Sequence, residues 1–310
     1  MDNFFTNLDS LDVLEVSGED SEKFLQGQLT CDVAELGQWQ WRPGAACNSK
    51  GRVYSSFRVV RLPTGFYLVM QPGLLESARA TLQKYIPFYR KAVMADGSGK
   101  YRRLGLAGDD ATRLLGARFG QLPVPGACTP VGIGVLINVS GILPRFELWL
   151  EPAVDDDLAP LFAALPQATL DAWQVSDMQD GLCLIAPDSA EAHTPEELSM
   201  DLAGFISFDK GCYTGQEIVA RMHYRGKAKK RLFIISGSHT GATPGPDLLD
   251  SEGTPLGTVF NLHFADDQHF YCWAVLNVDK APTQGALSLD GESTIPVRIS
   301  PAREHRFRAG

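Results

Sequence analysis

The sequence predicts an α+β fold that ends in an antiparallel β-barrel, on three observations. Over residues 1–230, helical periodicity and strand alternation are mixed without the regular βαβ rhythm of a parallel sheet. From residue 231 onward only strands recur, cut by Gly, Pro and Asp turns. The 310 residues, 44% hydrophobic and 21% charged, suffice for about two domains at roughly 100 to 200 residues each. The expected division is therefore an α+β region over 1–230 and a barrel over 231–310.

In chain order, a first helix is expected from about Ser17, where Ser-Gly-Glu-Asp offers a cap, through Phe24, Leu25 and Leu29. A hairpin follows. Arg52 to Leu62 alternates, Pro63-Thr64-Gly65 turns, and Phe66 to Met70 returns. Leu75, Ala78 and Leu82 stand at helical spacing between Leu74 and Tyr85. A short helix carries Leu114 and Leu115, a strand pair spans Val131 to Leu150 with its turn near Gly141, and another helix carries Leu158, Leu161 and Phe162. The stretch Ala186 to Gly204 reads as a long irregular connection, a type that is often functional. Barrel strands are expected at Leu232 to Gly237, Thr254 to Asn261, His269 to Asn277 and Ala286 to Ser300.

This composition excludes disorder, collagen and coiled coil. No window approaches the roughly 18 apolar residues of a membrane span, and Met1 to Asp12 lacks the basic and apolar regions of a secretory signal. A cytoplasmic setting, with no membrane partner, is the expectation. The six cysteines, at 31, 47, 128, 183, 212 and 272, form no Cys-x-x-Cys pair. Neither a disulfide framework, structural zinc nor a resident iron-sulfur cluster is supported. The six histidines show no metal spacing, and neither a phosphate loop nor a nucleophile elbow is present.

Chemistry concentrates in Lys210-Gly211-Cys212-Tyr213-Thr214-Gly215-Gln216-Glu217, followed by Ile218-Val219-Ala220-Arg221. Thr214 and Glu217 have capping-box spacing, so a helix is expected immediately after Cys212. Orphan amides at that helix start, with Lys210 two residues away, favour a partly exposed thiolate. The competing reading is a buried cysteine acting as a small hydrophobe. A basic strip follows, comprising Arg221, Arg225, Lys227, Lys229, Lys230 and Arg231 without an acid, with Tyr224 and His223 interleaved. It fits phosphates, a polyglutamate tail or RNA, or else a solvated loop. From Lys210 to Arg231 the charge is +6, within a chain of net charge -9.

Gly204-Phe205-Ile206-Ser207-Phe208, the Lys-Gly-Cys-Tyr-Thr-Gly-Gln-Glu octet, Ala220-Arg221 and Arg225-Gly226 together resemble the signature of the YgfZ folate-binding proteins. Asp20 to Thr30 is similar to their opening helix, and Lys50-Gly51-Arg52 to their first hairpin. The resemblance implies a fold like the glycine cleavage T-protein, with two interleaved α+β folate-binding subdomains over 1–230 and a C-terminal barrel. It also implies a role in assembling, maintaining or repairing iron-sulfur enzymes, including the radical enzymes that methylthiolate tRNA.

On this resemblance the ligand is tetrahydrofolate or a derivative, and the residues at its folate positions are Trp173, Gln179 and Asp180. Trp173 can stack on a pterin or pack in the core. Gln179 stands where the T-protein has a glutamate, and Asp180 can substitute for it by a local shift. Ser55 and Ser56 replace the T-protein's Asp-Asp pair, which argues against aminomethyl transfer. Leu11 stands where close family members carry a Trp.

The leading expectation is a folate-binding accessory protein with Cys212 as its reactive thiol, rather than a classical enzyme. One thiol can exchange disulfides, or transiently hold a persulfide or a cluster edge, without being a permanent metal site. Its expected partners are folate, iron-sulfur enzymes or cluster-assembly proteins, and tRNA. The alternatives are a folate-dependent one-carbon transferase or demethylase, and an RNA-binding module.

Overall fold

A computed structural model describes residues 3–152, 158, 163–225, 228–238, 241, 243–289 and 293–303. Strands β1 (Phe4–Asn7) and β2 (Asp12–Ser17) precede α1 (Ser21–Gln26), β3 (Gln40–Cys47), β4 (Val53–Leu62), β5 (Gly65–Met70), α2 (Leu75–Gln83) and β6 (Val93–Asp96). Next come β7 (Arg102–Ala107), α3 (Asp109–Phe119), β8 (Cys128–Val131), β9 (Gly134–Asn138), β10 (Arg145–Leu150), α4 (Leu170–Gln179) and α5 (Gln216–Arg225). The chain ends in β11 (Lys230–Ser238), β12 (Asp247–Leu249), β13 (Pro255–Phe264), β14 (His269–Asn277), β15 (Gln284–Leu289) and β16 (Ser293–Pro301).

These strands make two five-stranded antiparallel sheets, ordered β3-β4-β5-β2-β6 and β1-β7-β10-β9-β8, and a closed six-stranded barrel. The α+β class with a terminal barrel is thus what the chain adopts. The first strand leaves its sequence neighbours and pairs with β7 in the second sheet, which stitches the two halves together. Closure through β11 and β16 removes the barrel's free edges.

Several elements differ from expectation for local reasons. Strand β2 continues through Ser17, and Gly18 turns at φ +96° where a Cβ would lie 1.9 Å from Lys91 O. The first helix therefore starts at Ser21 rather than Ser17, and Leu29 lies beyond its end. In β4 nine of the ten residues are buried, so both faces are covered where alternation had implied one. The final expected strand is two, β15 and β16, and β12, three residues long, gave no sequence signal. Leu158 is buried, while the helix expected through Leu161 and Phe162 lies outside the described residues.

Candidate functional site

The segments that share the family resemblance converge in space. Lys210 is 7% exposed, and its ammonium donates to Gln26 O (2.8 Å), Leu29 O (2.7 Å) and Cys31 O (2.7 Å). Burial pulls this amine from 10.5 down to about 8, and the three carbonyls are the acceptors that hold its proton at neutral pH. Beyond the tip, Thr214 N donates to Gly27 O and the Thr214 hydroxyl to Gln28 Oε1 at 3.2 Å. Upstream, Ser207 N donates to Thr30 O, while Thr30 Oγ1 donates to Phe205 O and accepts from Ala45 N. The opening segment is thus a cradle for the loop.

The first hairpin supports the same loop by backbone contact. Gly215 takes φ +83°, and a Cβ there would sit 2.5 Å from Asn48 O and 3.4 Å from Gly51 Cα. Gly51, at φ +69°, would in turn drive a Cβ to 2.8 Å from Ile218 of α5. Glycine suits both positions, because each takes a positive φ and a Cβ would run into the Asn48 carbonyl at Gly215 and into the Ile218 side chain at Gly51.

Between these anchors Gly211 and Cys212 are exposed. All six cysteines are free, and the other five are buried. Burial pushes the Cys31 thiol up to about 11 and that of Cys47 to about 12, and it raises Cys128, Cys183 and Cys272 as well.

The two features expected to favour the Cys212 thiolate lie elsewhere. Helix α5 begins at Gln216, with Gly215 O accepting from Ile218 N and Val219 N, so its first turn is four residues past the cysteine. Thr214 bonds Gln28 instead of capping, Glu217 is exposed, and the Tyr213 amide donates to Gln216 Oε1 at 3.3 Å. The Lys210 charge is engaged with carbonyls, and its Nζ also lies 5.2 Å from the Tyr213 ring centroid. What the sequence proposed as thiol activation is loop anchoring.

Along the strip, Arg221, Lys229 and Lys230 are exposed. Arg231 is not free: it pairs with Asp201 and donates to Glu196 O at 3.2 Å. Arg225 ends α5, and Lys227 lies outside the described residues. Sequence reasoning missed an aromatic stack beside the strip. Phe208 lies on His223 with centroids 3.7 Å apart and planes at 18°, and the ring of Tyr224 meets His223 at 5.0 Å and 81°.

The residues at the folate positions do not form one site. Trp173 is 0% exposed; the Arg145 guanidinium lies 4.8 Å from its ring centroid, and a Cβ on Gly105 would sit 2.7 Å from the indole. Asp180 pairs with Arg145 and accepts from Ile142 N at 2.7 Å. Gln179 is exposed and lines a separate cleft of about 210 Å³ with Ser176 and Tyr271. At 100° per residue, positions 173, 177 and 180 share one face of α4 and 179 leaves it.

That inward face belongs to a buried ion network that sequence reasoning also missed. Arg58 Nη1 donates to Asp177 Oδ1 and Oδ2 at 2.9 and 3.0 Å, and Arg145 Nη1 donates to Asp177 Oδ1 at 2.7 Å. Arg58 Nε faces Glu147 Oε1 at 3.1 Å, while Trp149 Nε1 donates to Glu147 Oε2. Among the described residues, the other unpartnered buried side-chain atoms in this region are all donors: Arg58 Nη2, Arg103 Nε and Nη1, Arg145 Nε and Trp173 Nε1. A pterin's amino edge needs acceptors, which these donor atoms do not supply.

Ser55 and Ser56 are both fully buried. Ser56 Oγ donates to Cys183 O and accepts from Ile185 N, a structural tie. No group of three His, Cys, Asp or Glu residues suited to a metal occurs among the described residues. No helix there is long and apolar enough to cross a membrane.

Two sheets stitched by β1, a closed terminal barrel and a cradled loop define the class to which this chain belongs, the T-protein-like aminomethyltransferase fold. The chain is similar to the crystal structure of glycine cleavage system aminomethyltransferase T from Bartonella henselae, with a TM-score of 0.74 and 19% identity over 98% of this chain and 86% of the other. No protein-family model matches. Curated relatives narrow the class. The chain is 34% identical to tRNA-modifying protein YgfZ of Sodalis glossinidius, covering 95% of this chain and 91% of the relative. It is 31% identical to that of Enterobacter sp., with coverages of 95% and 92%, and 31% identical to that of Edwardsiella ictaluri, with coverages of 93% and 88%. The chain belongs to the YgfZ family of tRNA-modifying proteins.

Proposed function

We propose that this chain is a cytoplasmic accessory protein of tRNA modification that presents Cys212 to iron-sulfur enzymes, radical tRNA methylthiotransferases among them, or to the proteins that assemble and repair their clusters. The carrying observation is that one thiol of six is exposed, at the tip of a loop tied down on both sides. A presented thiol that no partner among the described residues occupies suits transient work on another protein. Replacing Cys212 with alanine leaves the fold intact and lowers methylthiolated tRNA in cells towards the level of a deletion strain. Unchanged tRNA methylthiolation in cells relying on the variant overturns the reading.

Tetrahydrofolate is the ligand this proposal takes from the family resemblance. Of the three residues at its expected positions, Trp173 and Asp180 are committed to Arg145 and Gln179 faces a cleft. Titration of the full chain with tetrahydrofolate is expected to saturate and to weaken in Gln179→Ala. Absence of saturation removes the folate and leaves the thiol reading standing. The one-carbon transferase reading finds no carboxylate at Ser55 or Ser56, whose hydroxyls are buried. A contact with tRNA is favoured by the exposed Arg221, Lys229 and Lys230.

A further inference from the structure

The hydrogen bonds that hold the Cys212 loop to its cradle come from Phe205, Ser207, Lys210 and Thr214, not from the rings stacked at the end of α5. Tyr224 is 71% exposed, far more than a tyrosine contributing to a core. It is nevertheless braced, meeting His223 at 5.0 Å and 81° and Phe208 at 6.4 Å and 69°. Phe208 and His223 are themselves nearly parallel at 3.7 Å. Three rings drawn from a loop and a helix thus support one exposed aromatic surface whose ordering precedes any ligand.

Its surroundings select the occupant. Arg221 lies on the same helix, Lys229 and Lys230 follow it, and all three are exposed. Between Ile218 and Arg231 the sequence contains no acid. The nearby carboxylates of Glu196 and Asp201 are already matched by Arg231. A braced ring on a helix that also carries the exposed Arg221, with the exposed Lys229 and Lys230 following in the chain and in no ion pair among the described residues, suits a base to stack on and a phosphate backbone to follow. A protein partner with an acidic, aromatic-poor surface would use the cations and leave the ring unexplained.

We propose that Tyr224, braced by His223 and Phe208, is a stacking platform for an unpaired base of single-stranded RNA, with Arg221, Lys229 and Lys230 holding the adjoining phosphates. This deepens the tRNA contact proposed above and rests on it. It places the RNA contact on the same loop-and-helix unit that presents Cys212, because Phe208 precedes the cysteine by four residues and α5 follows it.

The test is fluorescence anisotropy of the full chain with a labelled ten-nucleotide single-stranded RNA of mixed sequence, over a salt series. Stacking on one base predicts that Tyr224→Ala weakens binding roughly five- to a hundredfold at an unchanged salt slope. Tyr224→Phe, which keeps the ring, binds like the wild type, and Lys229→Glu with Lys230→Glu flattens the slope. Unfolding midpoints confirm that each variant is folded. If Tyr224→Ala binds RNA as the wild type does, the platform is overturned and the electrostatic contact survives. If the wild type binds no RNA at low salt, both fall, including the case in which Tyr224→Ala instead loses a protein partner. The Cys212 reading is judged separately by tRNA methylthiolation in cells.

Discussion

Lys210 shows how a residue can be singled out correctly from sequence for a reason the structure replaces. Two residues from a cysteine, a lysine reads as a charge that stabilises a thiolate. In the fold it is a buried tie whose three protons meet the carbonyls of Gln26, Leu29 and Cys31. Replacing it with methionine strands those carbonyls, so Lys210→Met is expected to cost about 2–4 kcal/mol in urea unfolding. A loss under about 0.5 kcal/mol contradicts the anchoring role. Sequence spacing could not show this, because the partners lie about 180 positions away. Gly51 and Gly215 were legible as motif glycines, whereas their mutual contact was not.

At the scale of elements, the hairpin β4–β5, helix α2 and strands β11 and β14 were readable because their periodicity is local. Helix α4 was harder, since residues 172–178 are all buried and no polar face marks its orientation. Its charged positions hold the missing information. Asp177 and Asp180 on an otherwise covered helix, with Arg145 and Glu147 alternating with Phe146 and Leu148 on β10, are the sequence signal of an internal ion network. Breaking it leaves uncompensated charge, so Asp177→Asn is expected to destabilise the chain by about 3–5 kcal/mol. A loss below about 1 kcal/mol in urea unfolding contradicts a structural role for the network.

For the whole molecule, the same network links the two sheets and sets an acid limit. Burial alone would push the Asp177 carboxyl up, but Arg58 and Arg145 outweigh it and hold the group below its usual range. A depressed folded value gives stability that is present above about pH 4 and lost as pH falls through the folded value. Acid unfolding of the wild type should therefore steepen below about pH 4, and Asp177→Asn should lose that part of the slope. Arg58, Asp177 and Arg145 come from β4, α4 and β10, so one network spans elements of both sheets. The charge division between an acidic body and a basic strip was legible in the sequence. The withdrawal of Arg231 from that strip depended on Asp201 and Glu196 being folded against it.

Five thiols inside and one outside is a property of the whole fold, and it carries the functional claim. The most direct test alkylates the native protein with iodoacetamide, maps the adducts by mass spectrometry, and compares the product with untreated protein in the methylthiotransferase reaction that the proposal expects this protein to support. The presented-thiol reading predicts a single adduct at Cys212 and loss of support for tRNA methylthiolation, with the other five cysteines reacting only after denaturation. Full support from protein alkylated at Cys212, or native labelling of a buried cysteine before Cys212, would contradict it.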